Sequence, residues 1–523
     1  MSLWGKEFDI STQEKASKIL GKLNNPKQVK APRNSKTTVE EKLAEISREV
    51  QKTLGKYAES TIVIKTKEEY LKYIEDCINA GIVALDTETN NSLDPLTCKL
   101  MGLCLYAPGL PAAYIPVNHR NRYTDERLDW QLVESDIKEG VDKLKDTKIL
   151  THNGKFDYQV MKCTCESPFK IYWDSQVASK VLNENDRSAR LKDQYVLKID
   201  SNEEKYSIEH LFQGLEYAIV DPELFALYAA TDSYKTYKLY EYQLNEFMKP
   251  ENKGIYSLYT NIEVPVIEVT AEMELNGVCL DLEYAKRLGK KYDQRLADIQ
   301  VRIDKELEEL KPQIDAWRMT PEATYHEPKK GGGFKKSKSE QLEDPINLLS
   351  PTQFSILLYD VLKHPVVDKK SPRGTGEDIM LKMNLPICDL ILELRGISKL
   401  KNTYIDKLPE CISKRDGRLH ASFNQYGAAT GRFSSSDPNL QNIPSHENSI
   451  RMMFVPSPEQ VINCECVDNI YKLHTYDEIE IALNTWKKVS DLQVGDKLFT
   501  DNNTYDIIKD ISIIGSEVRI EVE

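Results

Sequence analysis

The sequence predicts an α/β region, then a mostly α-helical region, then a β-rich segment. Three observations indicate this order. Between residues 61 and 116, short apolar or alternating runs such as "TIVIKT" and "GIVALDTET" surround the helical stretch "KEEYLKYIEDCINA", which is typical of a sheet with packed helices. Further on, "LEYAKRLGKKYDQRLADIQVRIDKELEELKPQIDAW" predicts one long helix with charges on its outer face. From Cys464 the pattern becomes β-rich.

Length and composition narrow the class of protein. A chain of 523 residues is too long for one core, and 40% hydrophobic with 29% charged residues indicates a globular protein of three or four domains. No apolar run reaches the roughly 18 residues of a membrane span, so we expect no membrane partner. Ten cysteines without a secretory leader favour reduced thiols in the cytoplasm. The net charge of -13 weighs against nucleic-acid binding unless cations cluster locally.

Changes in composition suggest four parts. Residues 1–60 are a polar, Lys-rich N-terminal extension with one amphipathic helix, in which Leu43, Ile46, Val50 and Leu54 follow the helical period. The α/β domain spans 61–250 and ends where "MKPENKG" interrupts the pattern. The helical region spans 251–463, and the β-rich segment spans 464–523. Within the helical region, the Gly/Lys/Ser stretch 327–341 is either a flexible solvated loop or a basic finger on a DNA backbone.

Four acidic residues of the α/β domain have the spacing of a metal site. Asp86 and Glu88 stand two apart at the end of an apolar strand, so both side chains leave the same face. Asp157 in "THNGKFDYQV" and Asp232 in "LYAATDSYKTYKLY" lie in later segments, the second on a clear helix. Carboxylates brought together repel one another unless cations lie between them, which is how a two-metal hydrolytic site uses Mg²⁺ or Mn²⁺.

The three segments resemble, in order, the three motifs of DEDD-type 3′→5′ exonucleases. The tyrosine four residues before the last Asp marks the DEDDy subgroup found in family A DNA polymerases. The resemblance implies an RNase H-like fold, two Mg²⁺ or Mn²⁺ ions, and a DNA primer 3′ end as substrate. It implies metal ligation by Asp86, Glu88, Asp157 and Asp232, orientation of the attacking water by Tyr228, and contact of Asn153 with the substrate strand.

The region after residue 250 resembles the thumb and the start of the palm of the same family. The decisive stretch is "GRLHASFNQYGAATGRFSSSDPNLQNIPS", which matches the family's "TGRLSS…PNLQNIP" motif with Phe433 in place of Leu. Its short donors and one Arg suit phosphates and minor-groove acceptors, which any correct base pair presents. The resemblance implies binding of a template–primer duplex by Thr430, Arg432, Asn439, Gln441 and Asn442. We also expect backbone contacts from the thumb-helix cations Arg395, Lys399 and Lys401, for which a solvated helix face is the alternative.

The palm is interrupted where its catalytic strand should begin. Family A enzymes continue with a "DYSQIE"-like strand, a nucleotide-binding helix and an "HDE" turn, none of which occurs here. We therefore expect no polymerase activity from this chain alone. Instead, "VIN" is followed by Cys464 and by "VSDLQVGDKLFT", which resembles the N-terminal part of an intein with a Hint-like all-β fold.

The resemblance to an intein implies protein splicing in trans. The Cys464 thiol would attack the carbonyl of Asn463, with Cys466 as the alternative first residue. Asn469 stands where inteins usually have Thr, a departure from the pattern. The expected partner is a second chain with the C-terminal intein half and the polymerase catalytic half, in a bacterial or phage-infected cell. Two alternatives are a free-standing 3′→5′ exonuclease and a non-catalytic fragment that binds DNA or a partner protein.

Overall fold

The computed structural model describes residues 39–456, apart from 187, 429 and 446, and a set of short segments beyond them. The later described segments are 470–474, 478–482, 485–488, 492–493, 497–499, 505–514 and 517–522. The chain divides into two compact units, residues 1–267 and 268–523. The predicted junction at Asn463–Cys464, and Cys466, lie outside the described residues.

The first unit is built on a six-stranded mixed sheet. Its strands are β1 (Thr61–Val63), β2 (Ile82–Thr89), β3 (Leu100–Tyr106), β4 (Ala112–Pro116), β5 (Lys148–Thr151) and β6 (Ile171–Asp174). Their order in the sheet is β1-β4-β3-β2-β5-β6. β3 pairs with β2 and with β4 in antiparallel orientation. The parallel pairs are β1 with β4, β2 with β5, and β5 with β6. This confirms the predicted α/β domain and places β2 in the interior of the sheet.

Helices cover this sheet. They are α1 (Val39–Leu54), α2 (Lys67–Ala80), α3 (Glu134–Lys143), α4 (Gly154–Cys165), α5 (Ser175–Leu182), α6 (Leu191–Lys198), α7 (Ile208–Phe212), α8 (Pro222–Phe247) and α9 (Lys253–Leu258). The 26-residue α8 starts where the Asp221 side chain accepts a hydrogen bond from the backbone N–H of Glu223 and Pro222 occupies the first turn. It contacts β1 to β5, so its buried face is the second layer of the domain.

The predicted N-terminal helix exists as α1 and belongs to the core of this unit. Leu43, Ile46, Val50 and Leu54 are its buried residues, as the helical period predicts. The last three join a hydrophobic cluster with β4, α7 and α8. Residues 39–54 are therefore packed on the α/β fold.

Helix α10 (Val264–Asn276) contains the boundary between the units, and the second unit continues with mostly helical elements. Its helices are α11 (Leu282–Arg318), α12 (Pro321–Thr324), α13 (Lys338–Gln341), α14 (Pro351–Ser355), α15 (Glu377–Met383), α16 (Pro386–Leu400), α17 (Lys407–Glu410) and α18 (Asn448–Arg451). Its short strands up to residue 456 are β7 (Cys279–Leu280), β8 (Ser422–Asn424), β9 (Ser434–Ser436) and β10 (Phe454–Val455). The long predicted helix is confirmed as α11, which packs on α16.

The stretch 327–341 forms a turn followed by α13. Pro328 and Phe334 form an antiparallel bridge, and Gly332 and Gly333 adopt positive φ at its tip, where glycine has no steric penalty. The residues of the turn are exposed. The sequence therefore encodes a projecting basic turn, and its partner stays a prediction.

Beyond residue 469 the described segments other than 492–493 are antiparallel strands. They are β11 (Ile470–His474), β12 (Glu478–Ala482), β13 (Thr485–Lys488), β14 (Lys497–Phe499), β15 (Tyr505–Ile514) and β16 (Glu517–Val522). One sheet has the order β11-β16-β15-β14, and β12 pairs with β13. Across the described part of the chain, no helix has both the length and the apolar character that crossing a bilayer requires.

Candidate exonuclease site

Two of the predicted ligands lie on β2 in the middle of the sheet. Asp86 and Glu88 point to the same face of the strand, and Glu88 is buried. Asp86 lies opposite Cys104 of β3 in the antiparallel register. Carboxylate oxygens of the two acids and the Cys104 sulfur lie within 4.8 Å of one another. The alternating pattern of β2 therefore brings both acids to one point.

The third acid reaches β2 from α4. The Asp157 carboxylate accepts two hydrogen bonds from Thr87, one from the backbone N–H at 2.8 Å and one from the hydroxyl at 2.7 Å. The first residue of this helix is Gly154. A side chain does not fit there, because a Cβ would stand 2.1 Å from the Thr151 hydroxyl oxygen. The Gly154 N–H donates to the Asp174 carboxylate at 2.6 Å. These contacts fix the first turn of α4 against the sheet.

Helix α8 supplies the remaining pair. Tyr228 and Asp232 are one helical turn apart and both are buried. The ammonium of Lys192, from α6, donates to the Asp232 Oδ2 at 2.7 Å and to the Tyr228 hydroxyl at 3.2 Å. The other Asp232 oxygen, Oδ1, is buried without a hydrogen-bond partner. Asp232 thus keeps a free acceptor inside the site.

The carboxyl groups repel one another, and burial intensifies the effect. Burial, followed by the charges of Asp157, Glu88 and Asp232, raises the pKa of Asp86 well above its usual value. Burial and Asp232 raise the pKa of Glu88 to about 8. Burial raises the pKa of Asp157 to about 7, although the hydrogen bonds from Thr87 act in the opposite direction. The site therefore has more acid groups than the Lys192 ammonium can neutralise.

This donor set suits hard divalent cations. Carboxylate oxygens of Asp86 and Glu88 lie close together, and the buried Oδ1 of Asp232 has no hydrogen-bond partner. Oxygen ligands are those that Mg²⁺ and Mn²⁺ prefer. The thiol of Cys104 is a soft group, and burial raises its pKa well above the usual value. Cys104 is therefore a neutral neighbour of the acids, and the acids are the candidate hard ligands.

The polymerase-like motif lies in the second unit, and its polar residues are on the surface. Thr430, Arg432, Asn439, Gln441 and Asn442 are all exposed. The Asn439 side chain accepts hydrogen bonds from the backbone N–H groups of Gln441 at 3.0 Å and Asn442 at 3.2 Å. The Asn442 carbonyl accepts a hydrogen bond from Tyr404. The loop is thus fixed from within, while its motif side chains remain accessible.

The three thumb-helix cations differ in their surroundings. Arg395 donates to the Thr375 carbonyl at 2.6 Å, lies over a phenylalanine ring, and has a buried nitrogen without a partner. Lys401 is largely covered and pairs with Asp293 and Asp406. Lys399 is exposed. Their placement favours structural roles for Arg395 and Lys401 and leaves Lys399 available to a ligand.

Two family descriptions match the chain. Residues 61–247 match a family described as 3'-5' exonuclease, and residues 329–469 match DNA polymerase family A. The first match contains all four acids and Tyr228, and the second contains the surface motif. Over these two segments the chain is similar to 3'-5' exonucleases and to family A DNA polymerases.

The chain spans about two fifths of the length of the curated relatives that it matches. It is 32% identical over 390 residues to DNA polymerase I of Chloroflexus aurantiacus, a match that covers 73% of this chain and 37% of that protein. It is 28% identical over 434 residues to DNA polymerase I of Borreliella burgdorferi, covering 80% and 41% respectively. The polymerase domain of Pol1 from M. smegmatis, solved with DNA primer-template and dNTP, has a similar fold. That likeness has a TM-score of 0.56 at 20% identity and covers 80% of this chain and 61% of that chain.

Sequence reasoning missed three residues of the candidate exonuclease site. Thr87 lies between the two acids of β2, and only its contact with Asp157 gives it a role. Lys192 lies on α6 and reaches the site through tertiary packing, so local periodicity does not point to it. Cys104 follows from the register of β3 on β2. The exposed Asn153 stands at the start of α4 with positive φ, beside the acids that the sequence did predict.

Proposed function

We propose that the first unit is a metal-dependent 3′→5′ exonuclease that removes nucleotides from the primer end of DNA. The observation that supports this is the electrostatic coupling of four carboxylates from β2, α4 and α8, one of which, Asp232, pairs with the Lys192 ammonium. Asp86, Glu88, Asp157 and Asp232 would hold two Mg²⁺ or Mn²⁺ ions. Such ions, when bound, lower the pKa of water and stabilise a leaving alkoxide.

Tyr228 orients the attacking water in this proposal. Burial raises the pKa of its hydroxyl well above the usual value, so the hydroxyl keeps its proton. Because its oxygen accepts from Lys192, its own proton is free for a water oxygen. Lys192 also neutralises part of the charge of Asp232, which limits repulsion of the DNA phosphate. Asn153, exposed at the start of α4, is available to the substrate strand.

A primer-digestion assay tests this proposal. A 5′-labelled single-stranded oligonucleotide incubated with Mg²⁺ should shorten from its 3′ end, and Asp86→Ala should abolish the shortening. Asp129→Ala removes an exposed acid of the same unit and should leave the rate unchanged. Digestion that survives Asp86→Ala would overturn the assignment of the site. An inactive wild-type chain would favour the alternative of a non-catalytic fragment that binds DNA or a partner.

We propose further that the second unit binds the template–primer duplex through its surface motif. The exposed donors of Thr430, Arg432, Asn439, Gln441 and Asn442 are matched to phosphates and minor-groove acceptors. Lys399 on α16 is a candidate for an additional backbone contact. Retention of a labelled duplex by the chain, weakened by Arg432→Ala, is the expected result. Equal retention by this variant and the wild type would exclude Arg432 from the interface.

For the C-terminal segment we propose protein splicing in trans, with Cys464 as the nucleophile. The intein-like sequence from Cys464 supports this, together with the antiparallel sheet of β11, β14, β15 and β16. The thiol would displace the backbone nitrogen from the Asn463 carbonyl to give a thioester, which then passes to a second chain with the polymerase catalytic half.

Mixing this chain with such a partner tests the splicing proposal. A ligated product should form on a denaturing gel, and Cys464→Ala should abolish it. Ligation that persists in Cys464→Ala but stops in Cys466→Ala would move the nucleophile to Cys466. No ligation with any partner would favour the alternative of a free-standing exonuclease, whose second unit serves only to grip duplex DNA.

A further inference from the structure

A buried ion cluster lies beside the exonuclease site. The side chain of Lys235, on α8, has no exposed surface, and its ammonium donates to Glu203 at 2.7 Å and to the Tyr206 hydroxyl at 2.9 Å. The rings of Tyr57, Tyr195 and Tyr206 surround the same ammonium, with centroids 5.5, 5.2 and 4.7 Å away. A buried cation needs such compensation, because isolated burial of a charge is costly.

Glu203 is the centre of this cluster. Its carboxylate accepts hydrogen bonds from Lys235, from Lys56, and from the Tyr57 hydroxyl at 3.1 Å. Its side chain is 2% exposed. Burial opposes ionisation, but the hydrogen bonds from the two lysines prevail, and the pKa of Glu203 lies below its usual value. Glu203 therefore stays ionised. Its hydrogen bonds connect helix α8 with the segment that follows α1.

The cluster continues into the carboxylate site. Lys235 is three residues from Asp232 on α8, close to one helical turn. The ring of Tyr206 lies below the Lys192 ammonium at 5.0 Å and packs edge-on against Tyr228 at 6.2 Å. Lys192 in turn donates to Tyr228 and Asp232. An unbroken path of contacts thus connects residues 56–57 with two groups of the site.

We propose that Glu203 is a positioning residue through which Lys56 and Tyr57 set the geometry of Tyr228 and Asp232. The proposal rests on the exonuclease function proposed above. It gives the N-terminal segment a role: residues 56–57 complete the exonuclease domain although they precede the residues that match the exonuclease family. Without the Glu203 carboxylate, the buried Lys235 ammonium loses its hydrogen-bonded anion, and Tyr206 loses the fixed donor that orients its hydroxyl.

Two variants of the full chain test this proposal against a matched control. Glu203→Gln keeps the shape and removes the charge, and Tyr57→Phe removes one hydroxyl donor. Glu241→Gln is the control, because Glu241 pairs with Lys238 on the same helix but is well exposed. Each variant is characterised well below its melting temperature by kcat and KM for oligonucleotide digestion, and by electron paramagnetic resonance titration with Mn²⁺ alone.

Glu203→Gln should lower kcat at least tenfold and weaken Mn²⁺ binding at least threefold, with KM for the oligonucleotide within twofold of wild type. Tyr57→Phe should show the same pattern to a smaller degree, and Glu241→Gln should match wild type. A fall in melting temperature without change in kcat or Mn²⁺ affinity would overturn the proposal. If Glu203→Gln does not fold, wild-type values for Tyr57→Phe would overturn it. If wild type binds Mn²⁺ but digests no DNA, the exonuclease function fails, while the Mn²⁺ titration still decides the positioning role.

Discussion

Replacing Thr87 by valine isolates one hydrogen bond to a site carboxylate. Asp157 accepts from the Thr87 N–H and from its hydroxyl, and valine keeps the first donor and the branched shape but removes the second. A hydrogen bond to a charged group contributes about 1.5–3 kcal/mol, and about 1.4 kcal/mol corresponds to one pKa unit. Because the bond favours the ionised form, its loss should raise the pKa of Asp157 by about one to two units. The wild-type value is about 7.

The assay is the pH dependence of kcat/KM for oligonucleotide digestion at fixed Mg²⁺, which reports groups of the free enzyme. If ionised Asp157 is required, the acidic limb of the profile should move by about one to two units toward higher pH in Thr87→Val. Stability should change in a linked way. The folded pKa of Asp157 lies above its unfolded value, so protonation stabilises the fold at low pH, and this contribution is lost as pH rises through about 7. Thr87→Val destabilises the ionised form most, so its melting temperature should fall more at pH 9 than at pH 5.

Thr89→Val is the matched control on the same strand. The Thr89 hydroxyl donates to the Ser92 carbonyl at 2.8 Å, and Thr89 is buried like Thr87. Thr89→Val should therefore reduce stability without moving the acidic limb. If the profile of Thr87→Val superimposes on that of wild type, the Thr87 hydroxyl does not tune Asp157, and the electrostatic account of the site is wrong.

Three further predictions concern Glu88, Lys192 and Arg432. In the presence of a chelator, stability should fall as pH rises through about 8, because the folded pKa of Glu88 lies above its unfolded value. In differential scanning fluorimetry, Mg²⁺ should raise the melting temperature more at pH 8 than at pH 5. Lys192→Met should lower kcat at least tenfold in the digestion assay while Lys238→Met, on the exposed face of α8, leaves it unchanged. Arg432→Ala should weaken duplex binding about tenfold, measured by fluorescence anisotropy, because one good base-edge contact is lost. Single-strand digestion should not change. The control Arg302→Ala should leave both duplex binding and digestion unchanged.

The sequence predicted those parts of the fold and the site that local periodicity determines. Alternation along β2 places Asp86 and Glu88 on one face, and the helical period places Tyr228 one turn before Asp232. The same period predicted α1 and its buried face. These assignments succeed because each depends on a repeat within one element. That α1 packs on the α/β core could not be predicted, because an amphipathic helix has a buried face whichever partner covers it.

Contacts between elements distant in sequence escaped prediction. Lys192 reaches Asp232 from a helix 40 residues earlier, and the sequence of α6 has no feature that sets this lysine apart from its neighbours. Arg395 shows a second reason why sequence alone is insufficient. Its charge predicted a DNA contact, which stays a prediction, and in the fold the guanidinium lies over a ring and donates to a backbone carbonyl. A cation on a helix can make contacts inside the fold, and only the packing reveals which cation does so.

The balance of charge also bears on where the exonuclease domain begins. Its four acids lie on elements between residues 82 and 247, and Lys192, which pairs with Asp232, rests on the ring of Tyr206. Tyr206 accepts from Lys235, whose buried charge is compensated by Glu203, and Glu203 is bound in turn by Lys56 and Tyr57. A domain cut at residue 61 would expose this chain of ion pairs at its outer end. The residues that take part in this charge network therefore start before the segment that family resemblance defines, in the turn that follows the helix ending at Leu54.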